Sequence, residues 1–398
     1  MYITPVLPID IKGNINDGLL CLAEKVCIKS AALAGNHNKI VLNSIKDLLR
    51  TTNSYYSNKI ESEGTHPIDI ENAMKKNFYS DEQKRKLQFL SLAYIEVQKQ
   101  LENITITEIN IFTKDFIQLI HKIFYSQVGM ETFLRIKQDN LNVLMEPGTF
   151  REQDVYVGQH TAPEYSLLDT IIYEFETQYK SIYDAQTQAK KLLYLLSSHH
   201  RLTWIHPFLD GNGRVSRLFL DAGFFNLKIE GYGLWNIARG LARNNKEYQK
   251  HLSLADMPQQ GATDGRGPLS LRGLEYYLHY MLETALDQID FMNQNLQLTS
   301  LANRIDKFIV LANNAMLDID PFPKYTSLLL KELLIKGEVA RGEVKNIINK
   351  SDRTATSLIK TLSDRDYIES DTPKSAIRIK FNAKFASYLM PQLIPDKE

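Results

Sequence analysis

Residues 206–217 read HPFLDGNGRVSR. In one short span they place a histidine, an aspartate, an asparagine and two arginines around a Gly-Asn-Gly turn. Asp210-Gly211-Asn212-Gly213 cannot easily continue a helix, because these residue types favour turns and left-handed backbone. From Arg214 onward, Val215, Leu218, Phe219, Ala222 and Phe225 recur at helical spacing, so a helix is expected to follow. The N–H groups of Gly211 to Arg214 then point out of a helix N-terminus. That is an anion site, reinforced by the dipole and by the guanidinium groups of Arg214 and Arg217. Asp210 is a hard oxygen ligand suited to a Mg²⁺ shared with phosphates. His206 can move a proton near neutral pH. Together these parts describe phosphoryl or nucleotidyl transfer. A Gly-Asn-Gly alone is only a turn, and a His-Pro alone only a helix end; the whole string in register carries the reading.

The rest of the composition sets bounds. The chain has 398 residues, enough for two or three domains. Hydrophobic residues are 43% and charged residues 24%, the balance of an ordinary soluble protein. Net charge is +0, so the chain as a whole is no electrostatic nucleic-acid binder. The two cysteines, Cys21 and Cys27, rule against a disulfide framework or a thiolate metal site and favour a reducing compartment. The start MYITPVLPIDIKGNIND lacks a basic segment followed by an apolar core, and no apolar run approaches the ~20 residues of a membrane helix. A cytoplasmic protein is expected.

Helical periodicity dominates the chain. Residues 1–17 read as extended and poorly structured. Ile45, Leu48, Leu49, Thr52, Tyr55, Tyr56 and Ile60 trace one helix face, which Gly64-Thr65-His66-Pro67 ends. A second helix is expected over 81–103, and Thr107 reads as the N-cap of the next. Residues 129–163 break the rhythm with Gly129, Pro147, Gly148, Gly158 and Pro163, and read as a hairpin with strand-like pieces around Phe150–Val157. Helix resumes near Ser166 and runs through 188–202 into the motif.

The motif resembles that of the Fic family, HxFx(D/E)GNGRxxR. His206, Phe208, Asp210, Gly211, Asn212, Gly213, Arg214 and Arg217 match it at every fixed position. The resemblance extends over roughly 40–295, with RLTWI before the motif and DGRGPLS at 264–270 after it. It implies a mainly α fold, a Fic helical-bundle core with a short β-hairpin flap, and transfer of AMP from ATP to a hydroxyl side chain of a target protein. His206 would be the base, and Asp210 would hold Mg²⁺ against the phosphates. Gly211, Asn212, Gly213 and Arg214 would cradle the phosphates, Arg217 would contact the terminal one, and Phe208 would pack. The flap GTFREQDVYVGQHTAP at 148–163 would align the target by strand addition, with Arg151, Val155 and Val157 suited to that edge. Asn244 and Tyr248, on a helix with Arg239, would approach the adenine.

Upstream, Ser57 and Glu61 match the family's inhibitory pattern (S/T)xxxE(G/N) and share a helix face at i and i+4. Ser62 departs from that pattern, and Glu63 stands close by. The resemblance implies that Glu61 pairs with Arg217 in the place of a terminal phosphate, so that the enzyme is autoinhibited.

Beyond the Pro-bounded break at Asp320-Pro321-Phe322-Pro323, the order helix, helix, helix, strand pair resembles the winged helix-turn-helix appended to many Fic proteins. Ser351 or Asp352 would cap its third helix, with Arg353, Thr356 and Lys360 exposed. Residues 324–384 hold 13 Lys/Arg and 8 Asp/Glu, 13 − 8 = +5, a modest basic bias. The expected organisation is an N-terminal helical region at 1–105, the core at 106–295, and a linker helix with the winged helix at 296–398. Two alternatives stay open: a de-AMPylating enzyme of the same fold, and a nucleotide-sensing DNA-binding regulator. The expected partners are ATP and a protein carrying a Ser, Thr or Tyr hydroxyl, this chain included. DNA or another protein on the C-terminal unit and a homodimer stay open; a membrane is not expected.

Overall fold

The computed structural model describes residues 4–9, 16–35, 38–105, 107, 109–138, 141–157, 160–185 and 187–396. Gly158 of the flap and part of the 1–17 segment lie outside them. The fold is mainly helical. Helix α1 (Asp17–Gly35) lies across the molecule, and α2 (Lys39–Ile60) starts at Asn38, whose side chain accepts from the Ile40 N–H. The second half of α2 is enclosed: every residue from Thr51 to Asn58 is buried. A short helix, α3 (Pro67–Met74), follows, and then α4 (Glu82–Thr105).

Helix α5 (Lys114–Tyr125) is capped by Thr113, whose side chain accepts from the Phe116 N–H. Thr107 therefore does not cap it: its hydroxyl donates back to the Ile104 carbonyl and closes α4. A hairpin of β1 (Arg135–Gln138) and β2 (Leu141–Leu144) comes next, and then the flap, β3 (Tyr156–Val157) with β4 (His160–Thr161).

The centre is built by α7 (Gln188–Ile205) and α8 (Asn212–Asn226), which follow α6 (Leu168–Lys180). Both central helices bury almost all of their surface, so their apolar residues run around the helix rather than along one stripe. Helix α8 starts at Asn212, two residues earlier than the apolar periodicity alone indicates. Helices α9 (Ala238–Arg243), α10 (Asn245–Asp256) and α11 (Leu271–Asn295) complete this bundle. The N-terminal segment is not loose at residues 4–9. Val6 and Ile9 are buried, the Ile9 N–H donates to Ser197, and Arg201 donates to the Leu7 carbonyl.

After α12 (Leu298–Asn313) come α13 (Thr326–Lys336), β5 (Glu338–Val339), α14 (Val344–Ile348), α15 (Asp352–Asp364), β6 (Ile368–Glu369) and β7 (Ile377–Ile379). The strands form an antiparallel sheet in the order β5-β7-β6. Ser351 caps α15, and Arg353, Thr356 and Lys360 are exposed on it. Helix α16 (Ala383–Leu389) turns the chain back onto α3 and α12. Residues 390–396 then lie on the bundle. Tyr56 donates to the Leu393 carbonyl at 3.0 Å, His66 Nε2 meets the Pro395 carbonyl at 2.9 Å, and Arg239 donates to the Gln392 carbonyl at 3.1 Å. The apolar core is continuous from Val6 to Ile394. Among the described residues no helix is long and apolar enough to cross a membrane.

Candidate active site

Two backbone reversals shape the motif loop. His206 ends α7 in the left-handed region, φ 50°, with its N–H on the Leu202 carbonyl. Gly211 precedes α8 with φ 79°, a conformation that costs glycine little. A Cβ there would also lie 2.5 Å from the Tyr125 hydroxyl, so the position demands glycine twice over. The side chain of Asn212 is spent inside the loop: Oδ1 accepts from the Phe208 N–H at 2.8 Å and Nδ2 donates to the Phe208 carbonyl at 2.7 Å. Its expected part in cradling phosphate therefore falls to its backbone N–H. Phe208 is fully buried, stacked on the His121 ring at 4.0 Å.

Tyr125, on α5, donates to Asp210 Oδ2 at 2.8 Å and orients the carboxylate beside the start of α8. His206 is half-buried, and its pKa is lowered to about 4, by burial first and then by the neighbouring His160. It is therefore a neutral imidazole at physiological pH, the form that accepts a proton.

The end of α2 closes over this loop. Arg217 donates to Ser57 Oγ at 2.8 Å, to the Ser57 carbonyl at 3.0 Å and to Glu61 Oε1 at 2.7 Å. The Glu61 contact is a single bond rather than a fork, with Ser57 accepting from Nε and from the same Nη2. A Cβ built on Gly213 would run into Glu61 Oε1, so the carboxylate rests directly on the first turn of α8. Burial works to raise the Glu61 pKa, but Arg217 and Arg214 outweigh it and hold the carboxyl below its usual range. Glu63 is engaged as well: its Oε2 accepts from Arg214 Nη2 at 2.9 Å. The chain makes room for both contacts by turning at Ser62, φ 63°, the residue that departs from the inhibitory pattern. Arg214 is buried, yet its Nε and Nη1 have no hydrogen-bond partner among the described residues. Buried donors of this kind point to an acceptor that comes from outside.

Arg151 sits elsewhere than on a strand edge. It is buried at the base of the flap, where its guanidinium donates to the carbonyls of His206, Gln153 and Pro163, and its N–H donates to the Pro207 carbonyl. It ties the flap to the motif loop. Asn244 is exposed between α9 and α10, and it is Asn245 that donates to the Ile60 carbonyl at the end of α2. Tyr248 is buried against Arg217, with its hydroxyl pKa pushed up to about 12 by burial. Arg239 turns away, toward Gln288 and Gln392. Tyr125, His121, Glu63 and the pair His160–Asp256 were not singled out from sequence. Tyr125 reaches Asp210 across 85 positions and Glu63 reaches Arg214 across 151, while His160 and Asp256 come from opposite sides of the motif, and none carries a local signature.

The site is thus a helix N-terminus in a left-handed turn, two buried arginines, a neutral histidine and an oriented aspartate, covered by carboxylates of the same chain. The arrangement suits an anion, with a proton acceptor beside it. Residues 111–222 match the family model described as Fic/DOC family, and the chain carries a Fic/DOC family domain. Proteins named protein adenylyltransferase Fic are similar to it over 77 residues: the one from Drosophila willistoni is 39% identical and that from Drosophila ananassae 38%. Those 77 residues are 19% of this chain, and the chain spans 15% of the length of each of these relatives. Among solved structures, a Fic family protein from Desulfovibrio desulfuricans G20 is similar with a TM-score of 0.52 at 13% identity, over 95% of this chain and 98% of that one. A Fic domain containing signaling protein from Bacteroides thetaiotaomicron is similar with a TM-score of 0.52 at 16% identity, over 69% of this chain and 96% of that one. At such identities the likeness concerns the fold.

Proposed function

We propose that the chain is a protein adenylyltransferase whose own α2 end holds it inactive. The observation that carries this reading is the Glu61 carboxylate seated on Gly213 and Arg217, together with the unpartnered donors of buried Arg214. One anion already rests where the dipole and the guanidinium groups favour negative charge. A nucleoside triphosphate brings more negative charge to the same place, and Arg214 has donors for it that no described residue takes. In the proposed reaction the neutral His206 takes the proton of a target hydroxyl. The hydroxyl oxygen bonds to the α-phosphorus of ATP, the bond from that phosphorus to the bridging oxygen breaks, and pyrophosphate leaves.

Among the described residues no group of three or more His, Cys, Asp or Glu is placed to hold a metal. Asp210 fits a Mg²⁺ completed by phosphate oxygens, since Tyr125 takes one carboxylate oxygen and leaves the other. When bound there, the ion would neutralise phosphate charge. The C-terminal unit is read as a winged helix: its element order suits one, and β7 and α16 reach α2 and α3, so it packs on the core.

The test is incubation with ATP labelled at the α-phosphate, following label on the chain itself and on lysate proteins. Glu61→Gly is expected to label strongly and wild type weakly. In the Glu61→Gly background, His206→Ala should abolish transfer while ATP still binds, and Asp210→Ala or chelation should abolish transfer as well. Undiminished labelling by the His206→Ala variant would overturn the assignment. Release of AMP from pre-labelled protein, with no transfer from ATP, would replace it with hydrolytic removal of AMP, in which water takes the place of the hydroxyl.

A further inference from the structure

The flap is held by a chain of polar groups outside the motif. His160, on β4, brings Nε2 to 2.9 Å from the Trp204 carbonyl and Nδ1 to 3.2 Å from Asp256 Oδ2, at the end of α10. The other Asp256 oxygen lies 3.1 Å from His200 Nε2, which also faces the Leu252 carbonyl at 3.2 Å. His200 Nδ1 lies 3.2 Å from Arg201 Nη1.

The donors and acceptors fix where the protons are. Arginine only donates, so His200 Nδ1 must accept, and His200 is neutral with its proton on Nε2. That proton faces the Leu252 carbonyl, with Asp256 Oδ1 beside it at 3.1 Å. A carbonyl and a carboxylate both only accept, so each nitrogen of His160 needs a proton of its own. The observed contacts are therefore those of a His160 imidazolium.

We propose that His160 is a positioning residue, which pins the flap to the core through Asp256 and His200 and docks it beside His206 only while both of its ring nitrogens are protonated. The inference rests on the proposed function in taking the flap as the edge that presents the target.

The His160 and His206 rings lie 6.3 Å apart, so the pin sets what stands next to the base. Every charged or titratable group around His160 bears on its proton. Burial and Arg151 oppose the charge, while Asp256, by hydrogen bond and by charge, and the Trp204 carbonyl favour it and prevail, so the His160 pKa is raised above 6.5. Asp256 is held below the usual carboxylate range by its two histidine partners, against burial. His206 goes the other way, down to about 4. The two adjacent histidines are therefore shifted in opposite directions.

The sign follows. A histidine whose pKa is raised in the docked state stabilises docking fully below about 6.5, and that stabilisation is lost as pH rises through the docked value. Over the same range His206 stays neutral. Raising the pH thus loosens target presentation without touching the base or the phosphate site. The transfer rate falls on the alkaline side while the KM for ATP stays put.

The test uses the full-length chain with isotope-labelled histidine, followed by NMR from about pH 5 to about pH 9, across the imidazole range. His160 is expected to carry protons on both nitrogens at neutral pH and to titrate above its ordinary value. In Asp256→Asn its midpoint should fall by about one unit or more, and amide exchange at Tyr156 and Thr161 should quicken roughly tenfold. Asp256→Glu should restore part of both. In the Glu61→Gly background, Asp256→Asn should lower kcat for self-labelling, flatten the alkaline limb and leave the KM for ATP unchanged. A His160 that titrates at or below its ordinary value, or flap exchange that ignores Asp256→Asn, would overturn the inference even if transfer proceeds. Absence of labelling from Glu61→Gly would instead overturn the proposed function, with the NMR measurements still deciding the pin.

Discussion

Glu61 and Glu63 each engage a different motif arginine, and the two contacts are not equal. Glu61 meets an arginine already held by Ser57, and it covers the first turn of α8. Glu63 meets only one nitrogen of Arg214, and burial and the nearby Asp210 and Glu61 charges raise its pKa despite that contact. About a third of each side chain is exposed, so solvent screening discounts both pairs. Breaking the Glu61 contact is expected to shift the balance toward nucleotide binding by about 1–2 kcal/mol, roughly five- to thirtyfold. Glu61→Gly should raise self-labelling by about that factor, and Glu63→Gly by less. Calorimetry with ATP should show the same order in affinity. Equal activation by both variants would mean that coverage of Arg214 matters as much as coverage of Arg217.

At the scale of elements, the flap hangs from one buried side chain. Arg151 donates to three carbonyls of two segments, and its planar fork fits them in a way that a lysine ammonium cannot. Arg151→Lys and Arg151→Ala should both lower transfer by roughly tenfold or more while ATP affinity holds, because several buried acceptors lose their donor at once. Rescue by lysine would show that charge alone suffices. The same element marks where sequence reading stops. Alternating Val155 and Val157 suggested an outward edge, but nothing local says that Arg151 turns inward to the His206 carbonyl, 55 positions away. Helices α2, α4, α7 and α8 were legible because their apolar residues recur over many turns. Helix α3 was not, since its eight residues begin at the Pro67 that otherwise reads as a stop. Thr107 and Thr113 are equally good caps by type, and only the packing of α5 selects Thr113. The motif residues were legible because one contiguous loop holds them, whereas Tyr125 and Asp256 come from other elements.

For the whole molecule, the continuous core argues that the C-terminal unit and the bundle do not unfold separately. Met390, Leu393 and Ile394 are buried in the core shared with the bundle, and the irregular stretch after α16 is bonded to Tyr56, His66 and Arg239. Tyr56 and His66 flank Ser57 and Glu61 along the chain, so the segment that covers the arginines is anchored at both sides by the C-terminal stretch. Calorimetry of the full chain should therefore show one cooperative transition, and two separated peaks would contradict the shared core. The same anchoring predicts a link to activity at a distance from the site. Tyr56→Phe removes one buried hydrogen bond and keeps the ring, at a cost of about 1 kcal/mol. If that bond steadies the closed position of α2, the variant should label itself up to roughly fivefold faster than wild type, with Ser57, Glu61 and both arginines intact. In the Glu61→Gly background, where the carboxylate on Arg217 is gone and only Glu63 on Arg214 remains, Tyr56→Phe should add little. An equal gain in both backgrounds would show that Tyr56 acts on the bundle as a whole and not through the covering segment.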